Sequence, residues 1–149
     1  MNSDSKTVEV LRKVPFFEGL SPSQIKKLLQ ICHAKALAKE DLLCGAGEPS
    51  NRMFVVLTGT VSISTAEGST LMTEAAITTI GETGALTGES RSVTVKALTD
   101  CNVLEINRVS MIDLLREDAS LARRIYRNVM MSLRRKLVTS NEKIDELMA

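Results

Sequence analysis

The chain has 149 residues, of which 44% are hydrophobic and 25% are charged, and its formal net charge is +1. This length and balance are typical of one folded domain with its own core, and they exclude a disordered chain. A net charge so close to zero provides no global attraction to nucleic acid or to an anionic membrane. The first residues lack the apolar segment of a secretory signal, and no apolar run approaches the ~20 residues that span a bilayer, so we expect a cytoplasmic protein without a membrane partner.

The cysteines and the single histidine do not form a metal-binding pattern. Cys32, Cys44 and Cys101 are widely spaced, and His33 is the only histidine. Structural zinc sites need closely spaced ligand pairs, so we expect no metal site and three reduced thiols that are buried or half-buried. No combination of nucleophile, base and acid is readable, and no catalytic residue is predicted.

The N-terminal part is predicted to consist of a tail, residues 1–8, followed by short helices within residues 9–36. Proline and glycine interrupt the first helical pattern, and a second helix is expected to begin at Ser21. Ser21 as N-cap, Pro22 at the first helical position and Gln24 three residues after Ser21 form a typical capping signature.

Residues 37–107 have the pattern of a β domain. Short apolar segments alternate with glycine-rich or polar turns. The apolar segments are 53–57, 61–63, 75–80, 93–98 and 103–106. Within 93–98 the apolar side chains alternate, which is typical of a strand with one buried face. Many short strands with frequent turns favour a small sandwich or barrel.

Residues 108–149 are predicted to form C-terminal helices, a short one at 110–117 and a long one from about residue 120. The long helix carries apolar residues on a seven-residue repeat, Met130, Leu137 and Ile144 on one position and Tyr126, Leu133, Ser140 and Leu147 on the other. This narrow seam, defined by those seven residues, favours a coiled-coil homodimer. The alternative is a helix that packs on its own barrel.

Residues 80–95, with the sequence I-G-E-T-G-A-L-T-G-E-S-R-S-V-T-V, carry the chemistry of a sugar–phosphate site. Gly81 and Gly84 allow the backbone to approach a ligand closely. A helical turn at 82–86 would direct N–H groups at an anion, and Arg91 can offer a planar fork to two phosphate oxygens. Glu82 would repel a phosphate, so its natural partner is a hydroxyl such as the ribose 2′-OH.

This segment resembles the phosphate-binding cassette of the cyclic nucleotide-binding domain family, whose pattern is roughly F-G-E-x-A-L-(x)-P-R-x-A-T-V. The resemblance extends over residues 10–147, because flanking segments also match the family, among them L-R-K-V-P-F-F-E-G-L-S and V-K-A-L-T-D-C-N-V-L-E-I. It implies an α+β fold: a small antiparallel β-barrel of the double-stranded β-helix or jelly-roll type, with short N-terminal helices and a long C-terminal helix. The nearest branch is that of the bacterial catabolite activators (CRP/FNR-like).

The resemblance also implies roles for single residues. Glu82 would accept the ribose 2′-OH, Arg91 would pair with the cyclic phosphate, and the Ser92 hydroxyl with the amides near Gly81 and Gly84 would complete the cradle. The chain departs from the family pattern at three positions, namely Ser90 for proline, Thr83 for an aliphatic residue and Val93 for a small residue. Val93 is the departure that could crowd the pocket.

The long helix resembles the dimer helix of the catabolite activators, in two possible registers. One register matches the tripeptide 138–140, V-T-S, to a base-contacting V-T-S of that branch. The other, shifted by one residue, aligns the rest of the helix and brings Ser140 and Asn141 to the purine, with Lys136 replacing an arginine. The heptad pattern favours the second register, although Ser140 could instead be a device that fixes the helix register.

Taken together, the sequence predicts a receptor that binds a cyclic nucleotide, cAMP rather than cGMP, and that has no cofactor and no catalytic activity. It would signal through its C-terminal dimer helix. The alternatives are an interaction domain of the same fold without a ligand, and the sensor fragment of a DNA-binding regulator. The branch carries a helix-turn-helix after the dimer helix, whereas this sequence stops soon after the seam, so no DNA-binding domain is expected in this chain.

Overall fold

The computed structural model describes the backbone of residues 2–149 and the side chains of residues 5–149. Residues 2–26 and 118–149 form one compact unit, and residues 27–117 form a second. The helices, in chain order, are α1 (Asn2–Leu11), α2 (Pro22–Gln30), α3 (Glu82–Thr87), α4 (Arg108–Glu117) and α5 (Ala119–Met148), with a 3-10 turn at Pro15–Phe17. The strands are β1 (Cys32–Leu37), β2 (Leu42–Cys44), β3 (Arg52–Thr58), β4 (Thr60–Ser64), β5 (Thr70–Ala75), β6 (Thr78–Ile80), β7 (Thr94–Ala97) and β8 (Cys101–Asn107).

The strands form two four-stranded antiparallel sheets, in the orders β1-β8-β3-β6 and β2-β7-β4-β5. Both sheets contribute to a single core, which consists of Leu37, Leu43, Cys44, Phe54, Val56, Val61, Ile80, Val95, Ala97, Cys101 and Val103. The two packed antiparallel sheets, with short helices before them and a long helix after them, confirm the predicted α+β jelly-roll fold. Strands β5 and β6, which follow each other in the chain, are each at the edge of a sheet.

The capping signature at Ser21 works as the sequence predicts. Ser21 Oγ accepts a hydrogen bond from the Gln24 amide at 3.1 Å, and the Ser21 amide donates to Gln24 Oε1 at 3.0 Å. These reciprocal bonds satisfy two amides that would otherwise lack partners at the start of α2.

Helix α5 buries one side and exposes another. Asp118 caps its start, since Asp118 Oδ1 accepts from the Leu121 amide at 3.0 Å. The buried positions are Leu121, Ile125, Asn128 and Val129. All seven residues of the predicted seam are exposed, and Leu137 retains 62% of its accessible surface.

The N-terminal boundaries differ from the prediction. Helix α1 begins at Asn2, within the predicted tail, and it buries Val8 and Leu11, which lie three residues apart on one helix side. Met1 lies outside the described residues.

Residues 32–36, predicted to be helical, belong to strand β1, and His33 lies on this strand rather than on a helix. Strand β1 is at the edge of its sheet and buries only its last side chain, Leu37, so it lacks the alternation that marks a strand. Its pairing with β8, about seventy residues away, determines its conformation. The segment predicted as one strand at 75–80 is also divided, because β5 ends at Ala75 and β6 begins at Thr78.

The three cysteines are free, and Cys44 and Cys101 are buried while Cys32 is half-buried. Burial raises the pKa of the Cys32 thiol to about 12, and its Sγ donates to the Leu28 carbonyl at 3.2 Å. Across the described residues, no helix is both long and apolar enough to cross a bilayer.

Candidate functional site

The turn from β6 into α3 has a backbone that requires glycine at its first position. Gly81 has φ +78°, in the left-handed region, and a Cβ there would collide with Nη1 of Arg91. A side chain at this position would therefore strain the backbone and displace the guanidinium. The helical turn predicted after Gly81 is present as α3, which ends at Gly88, φ +80°.

Arg91 is a buried cation held by backbone carbonyls. Its side chain Nη1 donates to the Gly81 carbonyl at 3.2 Å, Nη2 donates to the Arg52 carbonyl, and the residue is only 8% exposed. Its backbone amide and carbonyl pair with Glu48 O and Gly47 N, both at 2.8 Å. Both the backbone and the guanidinium of this residue are thus fixed by contacts within the chain.

No carboxylate in the described part of the chain forms an ion pair with Arg91. Burying a cation costs free energy unless a negative charge compensates it. Cys44 lies close enough for Arg91 to affect it: burial raises the pKa of the Cys44 thiol, while the Arg91 charge lowers it by a smaller amount. A buried guanidinium without an anionic partner is electrostatically suited to bind an anion such as a phosphate.

The loop 45–51 contacts the cassette, a role that its sequence did not predict. Ser50 is buried, and its hydroxyl donates to the Glu89 carbonyl just after α3. A Cβ at Gly84 would collide with Ser50 Oγ, so the glycine allows the loop and α3 to approach closely. The sequence of this loop, G-A-G-E-P-S-N, is typical of a turn, but the contact between Ser50 and Glu89 joins residues 39 positions apart and cannot be predicted from local pattern.

The other cassette residues that the sequence singled out differ in their exposure. Glu82 is half-buried in the first turn of α3, whereas Thr83 and Ser92 are exposed. Val93 is partly buried and packs against the core between the sheets, together with Ile63. At least part of the Val93 side chain is thus directed to the core and away from a ligand that it could crowd.

The C-terminal residues belong to the other compact unit. Lys136, Ser140 and Asn141 lie on α5, and all three side chains are exposed. Their predicted contact with a purine therefore remains a prediction.

The curated relatives include proteins that cyclic nucleotides control. A cyclic nucleotide-gated potassium channel from Mesorhizobium japonicum is 31% identical over 99 residues, which cover 66% of this chain and 27% of the channel. The cGMP-dependent protein kinase 2 of Mus musculus is 28% identical over 89% of this chain and 17% of the kinase. The chain thus spans about a quarter or less of these relatives.

Solved structures share the fold. The catabolite activator protein of Thermus thermophilus superposes with a TM-score of 0.74 at 22% identity, over 89% of this chain and 62% of that one. The regulatory domain of Toxoplasma gondii PKA, crystallised with cAMP, gives 0.70 at 17% identity, over 75% of this chain and 44% of that one. Residues 34–118, more than half of the sequence, match the profile of the cyclic nucleotide-binding domain, so the chain belongs to this family of ligand-binding regulatory domains.

Proposed function

We propose that the protein is a cytoplasmic, non-catalytic receptor in which the cyclic phosphate of a nucleotide binds to Arg91. The observation that carries this proposal is the buried Arg91 guanidinium, which is held in place by two carbonyls and has no carboxylate partner among the described residues. The ligand would supply the missing negative charge. Glu82 would accept the ribose 2′-OH, and Ser92 with the amides near Gly81 would bind the remaining phosphate oxygens.

We further propose a modest preference for cAMP over cGMP. It would come from Ser140 and Asn141 of α5, in the register that the heptad pattern favours, with Lys136 one turn before Ser140. Serine and asparagine can each donate or accept, so neither excludes guanine, and we expect a ratio of about tenfold, or about 1.4 kcal/mol. The relatives named above include one protein named for cGMP and one crystallised with cAMP.

The bound nucleotide would signal by changing the arrangement of α5. A ligand can shift a protein between two arrangements only if it binds one of them more tightly than the other. The exposed seam supports pairing of α5 with α5 of a second copy. Its exposure equally favours a second candidate function, an interaction domain that keeps the fold without a ligand.

Calorimetric titration with cAMP and cGMP tests the proposal. We expect a dissociation constant in the micromolar range, which corresponds to about 8 kcal/mol. Arg91→Ala should weaken binding by about 2–5 kcal/mol, because it leaves the phosphate charge unpaired in the pocket. The affinity of Arg91→Lys should lie between those of the wild type and Arg91→Ala, since lysine keeps the charge and loses the planar fork.

The matched control is Arg135→Ala, which removes the same charge from an exposed position on α5. Circular dichroism would check that every variant is folded. Equal losses from Arg91→Ala and Arg135→Ala would locate the phosphate elsewhere, and the absence of heat at millimolar nucleotide would favour the interaction domain.

A further inference from the structure

The positions beside the seam of α5 carry charge of one sign. In a seven-residue repeat, the residues that directly precede or follow the apolar positions flank the contact with a partner helix. Beside the seam of α5 these positions hold four cations and no acid, and we call the cations the flank residues: Arg127, Arg134, Lys136 and Lys143. All of them are exposed, and none forms an ion pair with another described residue.

The acids of α5 do not neutralise the flank residues. The carboxylates of this helix all lie at positions that do not adjoin the seam, namely Glu142, Asp145 and Glu146. In a parallel pair of α5 helices, Lys136 would face Asn141 of the second copy, and Lys143 would face Met148 of the second copy. Pairing with a second copy therefore packs the apolar seam but forms no ion pair beside it, and it doubles the number of like charges at the interface.

We propose that α5 binds an amphipathic helix of another protein that carries acidic residues on both sides of its own apolar seam. The apolar side chains of the partner would cover Leu133, Leu137 and Ile144, which are exposed, and its carboxylates would pair with the flank residues. Charges beside the seam determine which helices pair in a coiled coil, so this partner would displace a second copy, which offers no opposite charge there. The inference rests on the seam of the proposed function but not on nucleotide binding.

The test uses the full chain and three designed helical peptides of about three heptads, which match the length of the seam. All three have leucine on the seam, and the positions beside it are glutamate in the first peptide, glutamine in the second and lysine in the third. Fluorescence anisotropy should show that the glutamate peptide binds at least about tenfold more tightly than the lysine peptide, because each flank residue meets an opposite instead of a like charge. Sedimentation should show one chain with one peptide, and the advantage of glutamate should shrink in about 1 M salt, which screens exposed charges.

Two neighbouring arginines provide a matched pair of variants. Arg134→Glu reverses a charge beside the seam and should weaken binding of the glutamate peptide about three- to tenfold. Arg135→Glu makes the same change at an exposed position on the side of α5 opposite to the seam and should keep the affinity within about twofold. Leu137→Asp should abolish binding, because it places a carboxylate within the apolar contact.

Equal affinity for the glutamate and lysine peptides, or equal losses in Arg134→Glu and Arg135→Glu, would show that the flank residues do not select the partner and would overturn the inference. The inference would also be overturned if no peptide bound, or if the glutamate peptide still bound to Leu137→Asp. None of these measurements includes a nucleotide. Failure of cAMP and cGMP to bind would therefore overturn the proposed receptor function and leave this inference standing.

Discussion

Under the proposed function, the Arg91 guanidinium would have two tasks. Its Nη1 and Nη2 hold the carbonyls of Gly81 and Arg52, which fixes the turn before α3 against the start of β3. The remaining N–H groups are those that a phosphate would take. Stability and affinity are therefore coupled at this residue, and the lysine variant and the folding control proposed above are needed to separate them.

Glu82 allows a test of the site that does not disturb the phosphate. If its carboxylate accepts the ribose 2′-OH, wild-type protein should bind cAMP more tightly than 2′-deoxy-cAMP by about 1.5–3 kcal/mol. Glu82→Ala should bind both ligands equally, as measured by competition titration. Glu89→Ala removes a carboxylate from an exposed position just after α3 and should keep the preference. Discrimination that survives in Glu82→Ala would show that another group reads the ribose.

Among the elements, the turn between β6 and α3 links a glycine directly to the proposed phosphate-binding residue. Gly81 and Gly68 both have left-handed backbones, φ +78° and φ +94°, but a Cβ meets Arg91 at Gly81 and nothing within 4 Å at Gly68. Gly68→Ala should thus cost only the backbone strain, about 1–2 kcal/mol of unfolding free energy, and should leave nucleotide affinity unchanged. Gly81→Ala should show the same strain and in addition weaken cAMP binding at least tenfold, because the guanidinium must move.

Thermal unfolding and calorimetry of both variants measure these two effects separately. Equal affinity in Gly81→Ala and Gly68→Ala would mean that Arg91 does not need its present position to bind the ligand.

The elements also show what the sequence could predict. The start of α2 and the cassette helix α3 were predictable, because a capping box and a glycine turn act within a few residues. Strand β1 was not, since it is an edge strand with one buried side chain and depends on β8. The same holds at the cassette: Arg91 was found from its motif, whereas the contact of Ser50 with Glu89 joins residues 39 positions apart and is not visible in local sequence pattern.

At the scale of the whole molecule, the C-terminal half of α5 has no buried side chain. Residues 133–149 are all exposed. An isolated helix of this length is marginally stable in water, since most helical stability in proteins comes from packing of an apolar face. A second helix on the seam would supply that packing. The paired and unpaired forms of α5 would then be two arrangements for which a ligand can have different affinities.

The seam predicts a homodimer that single charges should separate. Leu133→Asp and Leu137→Asp place a carboxylate at the centre of the proposed interface, where it would be desolvated without a partner, so both variants should sediment as monomers and lose helix content by circular dichroism. Thr139→Asp adds the same charge two residues from Leu137 on an exposed part of α5 outside the seam, and this variant should remain a dimer. A wild-type protein that sediments as a monomer both with and without cyclic nucleotide would refute the seam as a self-association surface, and its exposed apolar residues would then have to meet a different partner.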